Sequence, residues 1–183
     1  MNITFIDLAK QQAQIRNKID AGIAAVLNHG AYIMGPEVGA LENRLGEWTK
    51  TIHNISCSSG TDALLLALCG LELQPNQGVI VPSFTFAASA EVMPTMGAIP
   101  IFAEIEADSF NLDPNKLEAA LAAGKAANID VVGIIGVGLF GQPANYDAIR
   151  SFANEHNLWL VDDAAQSFGA QWHGQPVGQL ADV

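Results

Sequence analysis

"VVGIIGV", residues 131–137, is the stretch on which the fold turns. A strand with one wet face alternates apolar and polar side chains, whereas this run is apolar throughout, so both of its faces are covered. Outward from it, apolar runs alternate with helical segments. On the N-terminal side lie "DPNKLEAALAAG" (113–124), a helix with Asp113 as N-cap and Pro114 next, and the strand "IPIFAEI" (99–105). Before those come "TFAASAEVMPTMG" (85–97), a helix disturbed by Pro94, the strand "GVIVPS" (78–83), the helix "GTDALLLALCGL" (60–71) and the strand "IHNISC" (52–57). On the C-terminal side are the helix "ANYDAIRSFANEHN" (144–157) and the strand "LWLVD" (158–162). Strands without polar alternation, separated by helices, predict an α/β fold of three layers: a mostly parallel sheet flanked by helices.

The first 50 residues read differently. Leu8, Ile15, Ile19, Ile23 and Val26 recur at helical spacing and Gly30 follows as a stop, predicting a helix over 7–28. A second helix over 36–50 starts at Pro36 and repeats Val38, Leu41, Leu45 and Trp48 along one face. The last segment, "WHGQPVGQLADV" (172–183), reads as the approach to a further apolar element, so the chain is expected to stop short of a complete fold.

Half of the 183 residues are hydrophobic, enough to bury a substantial core. The net charge is −11, from 19 acidic and 8 basic residues, with no basic cluster. That balance argues against a nucleic-acid or anionic-membrane surface. The N-terminus lacks the apolar core of a signal peptide, and no uncharged run reaches the length of a membrane span, so a soluble, cytoplasmic protein is expected. Cys57 and Cys69 have no CxxC spacing, and His29, His53, His156 and His173 lie far apart; no metal site is expected.

In an open α/β sheet, ligands bind at the carboxyl ends of the strands. Four sequences fall there. "CSSGTDAL" (57–64) leads through Gly60 into a helix start holding Thr61 and Asp62. Free N–H groups beside hydroxyls suit a phosphate, although Ser59 or Thr61 serves equally as a plain helix cap. "PSFTF" (82–86) offers Phe84 or Phe86 as a flat face for a planar ring, or as core. "GLFGQP" (138–143) is the third. "DDAAQS" (162–167) sets Asp162 and Asp163 at a strand end, where a partly buried carboxylate needs a partner: a helix terminus, or the protonated ring nitrogen of a cofactor such as pyridoxal phosphate.

Taken with "FIDLAKQQAQIRNKIDAGIAAVLNHGAYIMGPEVGALE" (5–42), "VPSFTFAASAEVMPTMGAIPIFAEI" (81–105), "FNLDP" (110–114) and "VDDAAQSFGA" (161–170), these motifs resemble the N-terminal part of the DegT/DnrJ/EryC1/StrS sugar aminotransferases. The resemblance implies the large pyridoxal 5′-phosphate (PLP) domain of an aspartate-aminotransferase-like fold. Residues 1–183 would be its N-terminal portion, beginning with a helical segment over about 1–50, and the small C-terminal domain would be absent. It implies that Gly60, Thr61 and Asp62 surround the cofactor phosphate, Phe86 stacks on the ring, Asp163 pairs with the ring nitrogen by the family's Asp-x-x-Gln spacing, and Gln166 meets the ring's oxygen side. Tyr32 and Gly35 would lie near the active-site mouth. Gly138 and Phe140 stand where many relatives carry a polar residue and a tyrosine.

The implied activity is amino transfer, with glutamate as donor, to a nucleotide-linked keto-sugar, most closely a UDP-linked 3-keto uronic acid of bacterial surface polysaccharide (O-antigen) biosynthesis, by a homodimer. The family's Schiff-base lysine follows the Asp-x-x-Gln motif, and no lysine follows Asp163 here. Lys10, Lys18, Lys50, Lys116 and Lys125 all read as solvated charges. The 183 residues alone are therefore expected to be inactive. A related branch dehydrates keto-sugars with histidine at the lysine position, and a non-catalytic truncated domain is a third reading.

Overall fold

The structure, a computed structural model, describes residues 5–183; residues 1–4 of the expected N-terminal helical segment lie outside the described residues. Two compact units divide the chain, one reaching to Arg44 and one from Leu45 to Val183.

In the first unit, helix α1 (Leu8–His29) begins where the Asp7 side chain accepts a hydrogen bond from the Lys10 N–H. It ends at Gly30, whose φ of 68° turns the chain left-handed and sends its N–H back to the Val26 carbonyl. Only glycine enters that conformation without a steric cost, so the stop is written in the residue type. Helix α2 (Pro36–Thr49) starts in this unit, with Pro36 in its first turn.

The second unit carries the α/β architecture. Its elements run α3 (Gly60–Gly70), β1 (Gln77–Pro82), α4 (Ala88–Thr95), β2 (Ile99–Ala103), a 3-10 turn (Pro114–Lys116) into α5 (Leu117–Ala126), β3 (Asp130–Val137), α6 (Tyr146–His156) and β4 (Trp159–Asp163). The four strands form one parallel sheet in the order β2-β1-β3-β4. Ile80, Ile134 and Leu160 face one way and pack with Leu117, Leu121 and Ile149 of α5 and α6. Val79, Val81, Ile135, Val137 and Val161 face the other way and pack with Leu64, Leu68, Val92 and Met93 of α3 and α4. Period-two alternation is present, but both sets are apolar, which is why "VVGIIGV" shows no polar break. Each buried Leu, Ile or Val side chain contributes roughly 1.5–3 kcal/mol relative to exposure.

From β1 the chain steps outward to β2, then crosses back past β1 to β3 and on to β4. The two crossovers run in opposite directions, with α4 packed in one core and α5 in the other, and leave a switch point between β1 and β3.

One expectation differs. Residues 52–57 form no strand: among the described residues no segment offers them a ladder, and Ile52 and Ile55 are 90% and 84% exposed. An extended segment becomes a strand only through a neighbour's hydrogen bonds. The C-terminal segment, read as the approach to a further apolar element, holds a two-residue hairpin, β5 (Gln171–Trp172) with β6 (Gln175–Pro176), turning through His173 and Gly174 at φ 48° and 81°. Beyond it Val177 and Leu180 enter the core. Pro94 falls in the last turn of α4, where the helix ends one residue later.

Candidate active site

A cleft of about 210 Å³ opens at the carboxyl ends of β1, β3 and β4, at the switch point. Gly60 and Thr61 line it from the first turn of α3, Thr85 and Phe86 from the segment after β1, Val137 from the end of β3, Asp163 from the last position of β4, and Gln166 from the loop beyond.

The α3 start is capped by Ser59, whose hydroxyl accepts the Asp62 N–H at 3.1 Å. This is the plain capping role that the sequence allowed. It satisfies one of the orphan donors; the N–H groups of Gly60 and Thr61 have no intrahelical acceptor at that position and carry the positive end of the helix dipole toward the cleft. Asp62 is not among the lining residues, and its carboxylate accepts a hydrogen bond from the Ser58 hydroxyl. No Lys or Arg lines the cleft, so an anion there is met by backbone N–H groups and a hydroxyl.

Phe86 is 68% exposed, an orientation that the core does not call for. Phe84, by contrast, clusters with Phe110 and Phe140 at ring separations of 5.8–6.4 Å and is outside the lining.

Asp163 accepts a 2.7 Å hydrogen bond from the Ser89 hydroxyl on Oδ2 and a 3.3 Å bond from the Ala165 N–H on Oδ1. An ionised carboxylate has about four acceptor positions, so two remain for a cationic donor. Asp162, its neighbour, points to the opposite side of the strand and accepts the Tyr146 hydroxyl. Gln166 Oε1 accepts the Phe140 N–H at 3.1 Å, which leaves the amide NH₂ as the group able to meet a ligand, and that group donates.

Gly138, the departure noted in the sequence, is explained by packing. A Cβ there would overlap the hydroxyl of the buried Ser167 and lie 2.6 Å from its Cβ. Tyr32, exposed, and Gly35 fall in the loop between α1 and α2 in the N-terminal unit. Among the described residues no three His, Cys, Asp or Glu gather as a metal site, and no helix is long and apolar enough to cross a membrane.

The cleft gathers Gly60, Thr61, Phe86, Asp163 and Gln166 out of the candidates; Asp62 stands aside. Sequence reasoning passed over Thr85 and Ser89. The available signal was a serine within a run of alanines on a helix whose neighbours Val92 and Met93 are core.

A helix N-terminus, an open aromatic face and a tethered acid thus line one cleft at the switch point of an α/β domain. The chain belongs to the DegT/DnrJ/EryC1/StrS aminotransferase family, whose model matches residues 13–183. The family's enzymes depend on PLP and its amine form, PMP. The chain is 45% identical over 181 residues to a UDP-2-acetamido-2-deoxy-3-oxo-D-glucuronate aminotransferase of Pseudomonas aeruginosa, covering 99% of this chain and 49% of the relative. A crystal structure of a family aminotransferase from Brucella abortus superposes with a TM-score of 0.93 at 43% identity, over 97% of this chain and 48% of that one. NtdA of Bacillus subtilis, with its cofactor PMP bound, superposes at 0.88 with 28% identity, over 99% of this chain and 40% of that one. The chain thus spans about half the length of the curated relatives it matches.

Proposed function

We propose that these residues build the cofactor-holding part of a PLP-dependent aminotransferase that aminates a nucleotide-linked keto-sugar, a UDP-linked 3-keto uronic acid. The observation that carries the reading is Asp163: a carboxylate at the last position of β4, held by the Ser89 hydroxyl and lining a cleft with an aromatic face and a helix N-terminus. The substrate class rests on the P. aeruginosa relative's activity and the 45% identity. Glutamate as amino donor and a homodimer as working assembly belong to the same proposal, as does a role in surface polysaccharide synthesis.

PLP, when bound, supplies an electron sink that lets an amino group move between carbon skeletons. Asp163 would hold the proton on the ring nitrogen, because an anion beside a pyridinium favours the charged form. Phe86 would cover one ring face and exclude water from it. The Gly60 and Thr61 N–H groups would take the phosphate, and the Gln166 NH₂ would donate to the ring oxygen. No lysine lines the cleft, so in this reading these residues would hold the cofactor without a covalent bond and would not transaminate by themselves.

Titration of the purified chain with PLP, followed by absorbance and fluorescence, tests this. Saturable binding that Asp163→Ala weakens about tenfold or more, with no adduct trapped by borohydride, is expected, since a charged hydrogen bond contributes roughly 1.5–3 kcal/mol. Absence of binding, or binding indifferent to Asp163→Ala, overturns the reading.

A further inference from the structure

Ser89, the second residue of α4, is fully buried and hydrogen-bonds to Asp163, Thr85 and Phe86. Its hydroxyl donates to Asp163 Oδ2 at 2.7 Å. The same oxygen lies 3.2 Å from Thr85 Oγ1, and its backbone N–H donates to the Phe86 carbonyl at 3.1 Å. A hydroxyl has one proton, and Ser89 donates it to Asp163, so Thr85 is the donor in the 3.2 Å contact. The direction of the chain is therefore fixed: Thr85 to Ser89 to Asp163.

We infer that Ser89 is a positioning residue that locks the Asp163 carboxylate and the Phe86 segment into one geometry, so that the acid and the aromatic face meet a flat cofactor ring together. The inference rests on the reading of the cleft as a PLP site and adds a residue to it. Asp163 ends β4, while Phe86 belongs to the segment between β1 and α4. These elements are 77 residues apart in sequence (163 − 86 = 77), and Ser89 touches both. Without its hydroxyl, Asp163 keeps only the 3.3 Å bond from Ala165, too long to restrict rotation of the carboxylate. Thr85 loses its acceptor at the same time. A carboxylate that samples several rotamers loses, on each binding event, the orientation that a preorganised one already has.

The experiment has two readouts on the whole chain. The first is the crystal structure of Ser89→Ala, a substitution that removes one buried oxygen. The Asp163 side chain is expected in more than one rotamer, where the parent shows one. The second is a double-mutant cycle on PLP binding. Ser89→Ala should weaken binding about tenfold in the parent, the loss expected for a hydrogen bond to a charged group, and have no effect in the Asp163→Ala background. Ser89→Cys, which keeps a weaker donor, should fall between. Thermal midpoints of all variants are compared with the parent, so that a folding defect appears as a shift common to both backgrounds. A single unchanged Asp163 rotamer in Ser89→Ala overturns the inference, as does a loss of affinity equal in the two backgrounds. If the parent chain itself fails to bind PLP, the cofactor reading falls while the rotamer readout still decides whether Ser89 positions Asp163.

Discussion

The Tyr146 hydroxyl, on the first residue of α6, donates to the carboxylate of Asp162, so the two adjacent acids of β4 serve opposite faces of the sheet. Asp163 turns to the cleft; Asp162 turns to the α6 side, where the phenol of Tyr146 is itself buried. Burial pushes the Asp162 carboxyl above the usual carboxylate range, and the charge of Asp163 adds to this, against the hydrogen bonds from Tyr146 and the Gly178 backbone that pull it down. The Tyr146 phenol is pushed up as well, by its burial first and then by Asp162.

The sign of the pH effect follows. A carboxyl whose folded-state proton affinity exceeds that of the unfolded chain makes the folded form the better proton binder, so this group's contribution to stability falls as pH rises. The fall begins near the unfolded value of about 4 and is complete once pH passes the folded value. Asp162→Asn removes the penalty and keeps an acceptor for Tyr146. The difference in urea unfolding free energy between Asp162→Asn and the parent should therefore widen from about pH 4 upward and then level off. A difference independent of pH would mean that Asp162 ionises as freely folded as unfolded.

Tyr146→Phe should have the opposite consequence at neutral pH. It leaves a buried charged acceptor without its main donor, at a cost of roughly 1–3 kcal/mol. The urea midpoint at pH 7 reads this directly, and the loss should shrink in acid, where Asp162 is protonated.

Gly138→Ala tests why the segment after β3 lacks a side chain there. Its φ of −87° suits any residue, so the obstacle is the contact with buried Ser167 and not the backbone. Overpacking of this kind costs about 1–3 kcal/mol. Adding Ser167→Gly, which clears the colliding atoms, should restore most of the lost stability. A Gly138→Ala protein as stable as the parent would show that the loop yields without strain.

How much of this could be read in the sequence depended on how local the cause was. The end of α1 at Gly30 and the caps by Ser59 and Asp113 are decided within a few residues, and they were legible. The parallel sheet was legible because covering both faces leaves "VVGIIGV" without a polar position. Residues 52–57 were misread because a strand is a property of a pair, and their composition says nothing of a partner. In the cleft, position after an apolar run drew attention to the motifs holding Gly60, Thr61, Phe86, Asp163 and Gln166, while the choice of Phe86 over Phe84, of Asp163 over Asp162 and of Gln166 came from the family resemblance. Ser89 did not, since a serine within a helical segment gives no sign of which way it faces until the helix is packed.

Phe86→Ala separates ligand contact from core packing. The side chain is mostly exposed, so its loss should change stability by no more than about 0.5 kcal/mol, the usual range for surface positions. PLP affinity should fall by about 2- to 10-fold, the equivalent of roughly 0.5–1.5 kcal/mol of ring contact, and Phe86→Tyr should retain it. Equal affinity in Phe86→Ala would remove the aromatic face from the account of the site.

Gly60→Ala is the sharpest test of the phosphate cup, because fold and ligand make opposite demands at that position. No atom lies within 4 Å of where a Cβ would stand, and Gly60 opens α3 with no positive φ. Alanine is the better helix former by up to about 1 kcal/mol in a helix interior, so the substituted protein should be as stable as the parent or more so. Gly60 also lines the cleft, and in the PLP reading a phosphate would approach the Gly60 and Thr61 N–H groups, so that an added methyl group would crowd it. PLP affinity should fall at least tenfold while the thermal midpoint holds or rises. A protein that gains stability and keeps its affinity would show that the glycine serves neither the helix nor the ligand, and that the phosphate is held elsewhere.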